Sequence, residues 1–212
     1  MIKDNLASVQ ARINKVNHTQ VVTLIAVSKT KSASDVQQAI DAGQRHFGEN
    51  YLQEALDKIA VLENAKVCWH FIGPIQSNKT KQIAQNFDWV HSVDRLKIAK
   101  RLNDQRPDSR GKLNVLLQVN IDHEPTKSGV SPEGIDAVVV QIKSLKKLSL
   151  KGFMCIPNPD NSRLSFIKMA EIGEKYPDLG MLSMGMSHDL ELAIQNGATF
   201  VRVGSDIFGK RD

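Results

Sequence analysis

Short apolar runs alternate along the chain with segments whose apolar residues recur every three or four positions. Leu6, Val9, Ile13 and Val16 have helical spacing and predict an amphipathic helix ahead of the first strand. The stretch Thr23-Leu24-Ile25-Ala26-Val27-Ser28-Lys29-Thr30-Lys31 then reads as a short strand ending on a lysine. Ser32 and Ser34 are candidate N-caps for a helix carried by Val36, Ala39 and Ile40 to Gly43, a natural stop. His46 to Glu49 is the second strand, followed by a helix through Tyr51, Ala55, Ile59 and Leu62.

The alternation continues unbroken. Cys68 to Gly73 predicts a third strand, with a helix from about Asn78 to Phe87. Trp89 to Val93 predicts a fourth, with Asp94 capping a helix through Leu96, Ile98 and Leu102. Leu113 to Ile121 is the strongest strand, and the helix after it spans Ser131 to Leu145, where Pro132 is tolerated near the start. Leu148 to Ile156 is the sixth strand, and its helix, through Phe166, Met169 and Ile172, ends before Pro177. Met181 to Met186 is the seventh strand, Leu190 to Ala198 its helix, and Phe200 to Gly204 the eighth. Polar segments at Asp104 to Lys112, Asp122 to Gly129 and Pro157 to Ser162 read as loops.

Eight strands separated by helices predict an α/β fold, a closed (β/α)8 TIM barrel. An open doubly wound sheet would want a glycine fingerprint after the first strand, and Ser28-Lys29-Thr30-Lys31 is not one. A length of 212 residues suits one well-buried core, so a single domain over 1–212 is expected.

Composition narrows the class. Hydrophobic content of 41% and charged content of 24% are ordinary for a soluble globular protein. The formal charge of +5 is scattered, with Lys143, Lys146, Lys147 and Lys151 the densest group. No nucleic-acid reading module accompanies it, and an anionic small ligand explains a mild basic excess equally well. No run approaches a membrane span, and the N-terminus lacks an apolar signal core. Cys68 and Cys155 stand alone in apolar stretches and read as buried, inert thiols in a reducing cytoplasm. No long exposed apolar helix face stands out, so a monomer is expected.

Lys29 is the first candidate for chemistry. Burying an ammonium without a partner is costly, and desolvation favours the neutral amine, a nucleophile toward aldehydes. The alternative is a lysine that caps the strand and keeps its charge in water. In such barrels the site lies at the strands' C-terminal ends, with phosphate commonly held after strands seven and eight. Those ends are Ser183-Met184-Gly185-Met186-Ser187 and Val201-Arg202-Val203-Gly204-Ser205, small residues with two hydroxyls. Glycine and serine also simply make turns. Period-two geometry sets Arg202 on the side of Phe200 and Gly204, facing either a ligand in the barrel mouth or a carboxylate partner.

Other patterns carry less. Gly204, Gly209 and Lys210 imitate a phosphate loop, but Arg211 stands where the magnesium-binding hydroxyl must be. His70 and His91 read as hydrogen-bonded core histidines, and His18, His123 and His188 as loop or helix-start residues. No carboxylate–histidine spacing predicts a metal site.

The blocks Ala26-Val27-Ser28-Lys29, Phe47-Gly48-Glu49-Asn50-Tyr51, His70 through Lys79 and Lys127-Ser128-Gly129 extend the pattern. Gly152-Phe153-Met154, Leu182 through Ser187, and Val201 through Gly209 complete it. Together they closely resemble the pyridoxal-5′-phosphate (PLP) homeostasis proteins, the YggS/PROSC family. That family shares the barrel of fold-type III PLP enzymes such as alanine racemase. The resemblance implies a Schiff base between Lys29 and the PLP aldehyde. It implies that Ser187, Gly204 and Ser205 hold the phosphate, that Arg202 faces the pyridine nitrogen, and that Asn50 lines the cofactor near Lys29. Two departures stand out. The 157–177 segment is shorter than the family's, which implies a trimmed helix, and His188 stands where an acidic residue is more usual.

Racemisation needs acid–base groups on both faces of the cofactor. The racemases take the second from a tyrosine on a partner's β-domain, and Tyr51 and Tyr176 lie on no such arm. An arginine at the ring nitrogen would further blunt the electron sink. The expectation is therefore a carrier with no catalytic residues, holding PLP and handing it to apo PLP-dependent enzymes. A racemase-like enzyme and a barrel for another phosphorylated metabolite are the alternatives. Lys31 is either a transient acceptor during release or a solvated lysine.

Overall fold

The computed structural model describes residues 1–16 and 20–209, so His18, Lys210 and Arg211, weighed above, lie outside the described residues. Eight strands form one closed parallel barrel in sequence order: β1 (Thr23–Val27), β2 (His46–Glu49), β3 (Cys68–Phe71), β4 (Trp89–Val93), β5 (Leu113–Gln118), β6 (Leu148–Met154), β7 (Met181–Ser183) and β8 (Phe200–Val203). Strand β8 returns to pair with β1, Ile25 opposite Arg202. Around it run α1 (Ile2–Val16), α2 (Ala33–Asp41), α3 (Leu52–Val61), α4 (Thr80–Asn86), α5 (Leu96–Gln105), α6 (Ile135–Lys143), α7 (Ser162–Lys175), α8 (Leu190–Gln195) and α9 (Ser205–Phe208). The fold is the α/β TIM barrel that the alternation predicts.

Parallel strands flanked by helices are buried on both faces, which is why they read as near-continuous apolar runs. Their outward residues, among them Leu24, Ala26, Phe47, Trp69, Phe71 and Val90, join the helices in the main core. Their inward residues form a second, small cluster of Ile25, Leu116, Met154 and Phe200, with Trp89 and Met181 against it. Four inward apolar side chains do not fill a barrel. The remaining interior is polar, and it includes His70, His91, Ser183 and Arg202, all buried.

Several local details differ from the expectation. β1 stops at Val27, so Lys29 lies in the turn beyond the strand. Ser32 does cap α2, in a capping box with Asp35. Asp94 does not cap α5: the cap position falls one residue later on Arg95, which makes no side-chain cap bond, and Arg95 takes Asp94 Oδ2 at 2.6 Å. A 3₁₀ turn over Pro132–Gly134 precedes α6, because proline fits an opening turn but not a helix interior. β7 ends at Ser183 because Gly185 adopts φ +89, where a Cβ would also meet Ala193 Cβ at 2.5 Å. The helix in the 157–177 segment, α7, runs for 14 residues.

Cys155 is buried, but Cys68 is only half-buried. Burial pushes both thiols up to about 12, so the protonated form prevails. No helix among the described residues is long and apolar enough to cross a membrane.

Candidate functional site

A cavity of about 310 Å³ opens at the C-terminal ends of the strands. Lys29, Asn50, Ser187, Arg202, Gly204 and Ser205, the six residues singled out in the sequence, all line it. Lys31, His188, Met186 and the apolar Val27, Ile72 and Ile156 complete much of the wall. Three cationic side chains and no carboxylate are among its lining residues, so the cavity suits an anion.

The lysine turn is fixed from behind. Ser28 donates its hydroxyl to Glu49 Oε1 at 2.6 Å, and Lys58, on α3, donates to the Ser28 carbonyl at 2.6 Å. Lys58 Nζ also reaches Glu49 Oε1 at 2.8 Å and Glu54 Oε1 at 2.5 Å. The Thr30 N–H donates to the same Glu54 oxygen at 2.6 Å, across a residue held at φ +64. Burial raises the Glu49 carboxyl above the usual range, while its bonds to Lys58 and Ser28 pull the other way. Neighbouring Asn50 is positioned by Gly73: a Cβ there would fall 2.2 Å from the Asn50 carbonyl oxygen. Asn50 Oδ1 is buried and has no hydrogen-bond partner, an acceptor that a polar ligand group would satisfy.

At the opposite wall the Ser205 hydroxyl donates to Ser187 Oγ at 3.1 Å, so the loops after β7 and β8 bring their hydroxyls to one point. Arg12, from α1, clamps both loops. Its Nη2 donates to the Ser187 carbonyl at 2.8 Å, its Nη1 to Asp206 at 2.7 Å and its Nε to Glu191 at 2.6 Å.

Arg202 lies between these two walls and is 5% exposed. Nη1 donates to Ser183 Oγ at 2.8 Å and Nη2 to the Cys155 carbonyl at 3.0 Å. Among the described residues no carboxylate forms an ion pair with it, so the carboxylate partner considered for this arginine is not realised. Burial draws its pKa below the usual guanidinium value. Below it a polar chain descends the barrel: Ser183 Oγ to His91 Nδ1 at 2.8 Å, His91 Nε2 to His70 Nδ1 at 2.9 Å, and His70 Nε2 to His46 Nδ1 at 3.0 Å. Burial holds His70 and His91 well below the ordinary imidazole range, and they are the hydrogen-bonded core histidines that the sequence suggests.

Sequence reasoning missed Lys58, Glu49 and Arg12. The signal was present: Lys58 lies on the apolar stripe of Ala55, Ile59 and Leu62, and Arg12 on that of Val9, Ile13 and Val16. A charge on a buried face needs a buried partner.

The family described as "Alanine racemase, N-terminal domain" matches residues 2–212. A Pseudomonas aeruginosa protein named "Pyridoxal phosphate homeostasis protein" is 52% identical over 221 aligned residues, covering 100% of this chain and 96% of that protein. Its Escherichia coli K12 namesake is 46% identical, covering 100% and 97%. The structure of PipY from Synechococcus elongatus with PLP bound superposes at a TM-score of 0.87, with 36% identity, covering 99% of this chain and 100% of that one. A Clostridium difficile alanine racemase, 12% identical, superposes at 0.76 over 98% of this chain and 60% of its own, a likeness of fold alone.

Proposed function

The chain belongs to the pyridoxal phosphate homeostasis proteins, built on the alanine racemase N-terminal domain, and on that premise we propose that it binds, stores and hands on PLP without vigorous catalysis. The observation that carries the reading is one cavity holding a lysine turn, a pair of converging serine hydroxyls and a buried arginine. PLP supplies an aldehyde that condenses reversibly with amines and a pyridine ring that acts as an electron sink.

The residues present fit that group. Lys29 offers the amine, and the Glu49–Lys58–Glu54 cluster fixes the turn that carries it. Ser187, Gly204 and Ser205 would take the phosphate; a Cβ at Gly204 would stand 3.1 Å from the Val27 carbonyl oxygen, so glycine lets the ends of β8 and β1 lie close together at the cavity. Asn50 meets a polar ring substituent with its unpartnered amide oxygen. Arg202 would face the ring nitrogen, where a guanidinium would donate a hydrogen bond and give up no proton. An arginine there would keep the ring unprotonated and make it a weaker electron sink. No tyrosine is among the cavity's lining residues, so a second acid–base group of the racemase kind has no counterpart there. Holding PLP is favoured over turning over amino acids. The proposal extends to a monomeric, single-domain cytoplasmic carrier whose recipients are apo PLP-dependent enzymes. Lys31 lies in the same wall.

The test is absorbance of the purified protein with PLP before and after borohydride reduction, followed by peptide mapping. The pyridoxyl group belongs on Lys29. A label elsewhere, or none, overturns the reading. Steady exchange of an amino acid's α-hydrogen into solvent would replace it with the racemase-like alternative.

A further inference from the structure

The end of the barrel away from the cavity holds a set of donors that local sequence spacing does not reveal. His46 opens β2 and Cys68 opens β3, and the parallel register sets the two opposite each other. His70 follows two residues after Cys68, on the same face. A ring nitrogen from each histidine and the Cys68 sulfur all lie within 4.8 Å of one another. The closest pair, His46 Nδ1 and His70 Nε2, is 3.0 Å apart. Two nitrogens bound to a tetrahedral zinc at ~2.0–2.1 Å are about 3.3 Å apart and a bound sulfur and nitrogen about 3.6 Å, so the histidine pair is nearly in place and the Cys68 side chain closes in by up to roughly 1 Å.

Access agrees with the geometry; the Cys68 thiol is protonated without metal, so binding has to displace that proton. His46 and Cys68 are only half-buried, which leaves a path from solvent and room for a further ligand. The Asp88 carboxylate acts on both of them and is fixed by the Trp69 N–H at 2.9 Å, a nearby negative charge that favours a cation. Two imidazoles and a thiolate form a borderline-soft set, the kind that takes zinc in preference to magnesium or calcium.

We propose that His46 Nδ1, Cys68 Sγ and His70 Nε2 form a binding site for one borderline divalent transition metal, zinc foremost, with a solvent molecule completing the tetrahedron. The proton balance is fixed. The Cys68 S–H bond breaks, the sulfur–metal bond forms, and one proton leaves to solvent. The N–H shared between His46 and His70 sits on His46 Nδ1 before binding; it breaks as that nitrogen takes the metal, and a proton is taken up at Nε2 of the same half-buried ring, so His46 stays neutral and the net release is the one thiol proton. His70 carries its proton on Nδ1 and donates it to His91 Nε2, 2.9 Å away, and His91 donates from Nδ1 to Ser183 Oγ. That outer bond orients the ligand as second-sphere partners of metal-bound histidines do. The site stands apart from the PLP reading and shares no residue with the cavity.

Cobalt(II) is the probe. Titrated into the full chain, free of PLP and reduced without a thiol, it is expected to give a thiolate-to-metal charge-transfer band and intense tetrahedral visible bands at one equivalent. Zinc should abolish both, and its binding should release one proton. Cys68→Ser should lose the charge-transfer band and His46→Ala the tetrahedral bands, whereas Cys155→Ser and Lys29→Ala should keep both. His46 is half-exposed, so its variant tests the site without disturbing a fully buried position. Absence of the bands in folded wild-type protein, or their survival in Cys68→Ser, overturns the proposal.

Discussion

Lys58 Nζ donates to Glu49 Oε1 at 2.8 Å and to the Ser28 carbonyl at 2.6 Å, so a buried ion pair grips the residue immediately before Lys29. The lysine is 4% exposed and the glutamate 0%. Removing one member of such a pair leaves the other buried and uncompensated, at a cost of about 3–5 kcal/mol. Lys58→Met is therefore expected to lower stability by that order in urea unfolding. Adding Glu49→Gln to the same chain should restore most of the loss. A single variant as stable as wild type would show that water reaches Glu49.

The proposed phosphate grip should separate from the rest of PLP recognition. Ser187 and Ser205 present hydroxyls 3.1 Å apart, and hydrogen bonds to a charged group are worth roughly 1.5–3 kcal/mol. Ser205→Ala is expected to weaken PLP binding by about tenfold to a hundredfold while leaving the affinity for pyridoxal, which lacks the phosphate, unchanged. Equal losses for both ligands in a fluorescence titration would move the phosphate elsewhere.

Arg12 is not among the residues lining the cavity, yet it bonds to Ser187, Asp206 and Glu191. Its side chain and both carboxylates are about one-third exposed, so the ion pairs themselves contribute at most about 1 kcal/mol. Arg12→Ala should change the melting temperature little and PLP affinity several-fold, because the two loops lose their common clamp. A large drop in stability without a change in affinity would contradict that division.

Acid sensitivity follows from the barrel interior. His70 and His91 have folded pKa values well below 6.5, so under acid the unfolded chain binds protons that the folded chain does not. Their contribution is full above about pH 6.5 and is lost as pH falls toward the folded values. Glu49, with its pKa raised above 4.5, opposes this wherever it is protonated only in the folded state. The net slope is roughly 1–3 kcal/mol per pH unit below pH 6.5, because each proton taken up on unfolding contributes about 1.4 kcal/mol for every pH unit. Urea midpoints measured from pH 5 to 8 should rise with pH. A flat profile would mean that these histidines are already charged in the fold.

Much of the barrel was legible because parallel strands between helices must be apolar on both faces, and runs such as Leu113 to Gln118 announce themselves. The cavity residues at the ends of β1, β7 and β8 were legible for a related reason, since strand order places them there, whereas Asn50 after β2 came only from the family resemblance. What stayed hidden depends on partners distant in sequence. Asp94 looked like a cap until Arg95 claimed its carboxylate, and His46 gave no hint of Cys68 because their adjacency is a matter of strand register. Lys58 and Arg12 could have been found by asking why a charge interrupts an apolar stripe.

Thr30 is a β-branched residue with a left-handed backbone, and it is fastened there by Glu54. Such a conformation costs about 1–3 kcal/mol in a residue of this shape. The loop that carries Lys29, the amine proposed above, thus behaves as a cocked spring. Glycine at that position would relax it, and the protein would be harder to melt yet slower to seize an aldehyde. Durability and readiness would then pull in opposite directions at a single peptide unit.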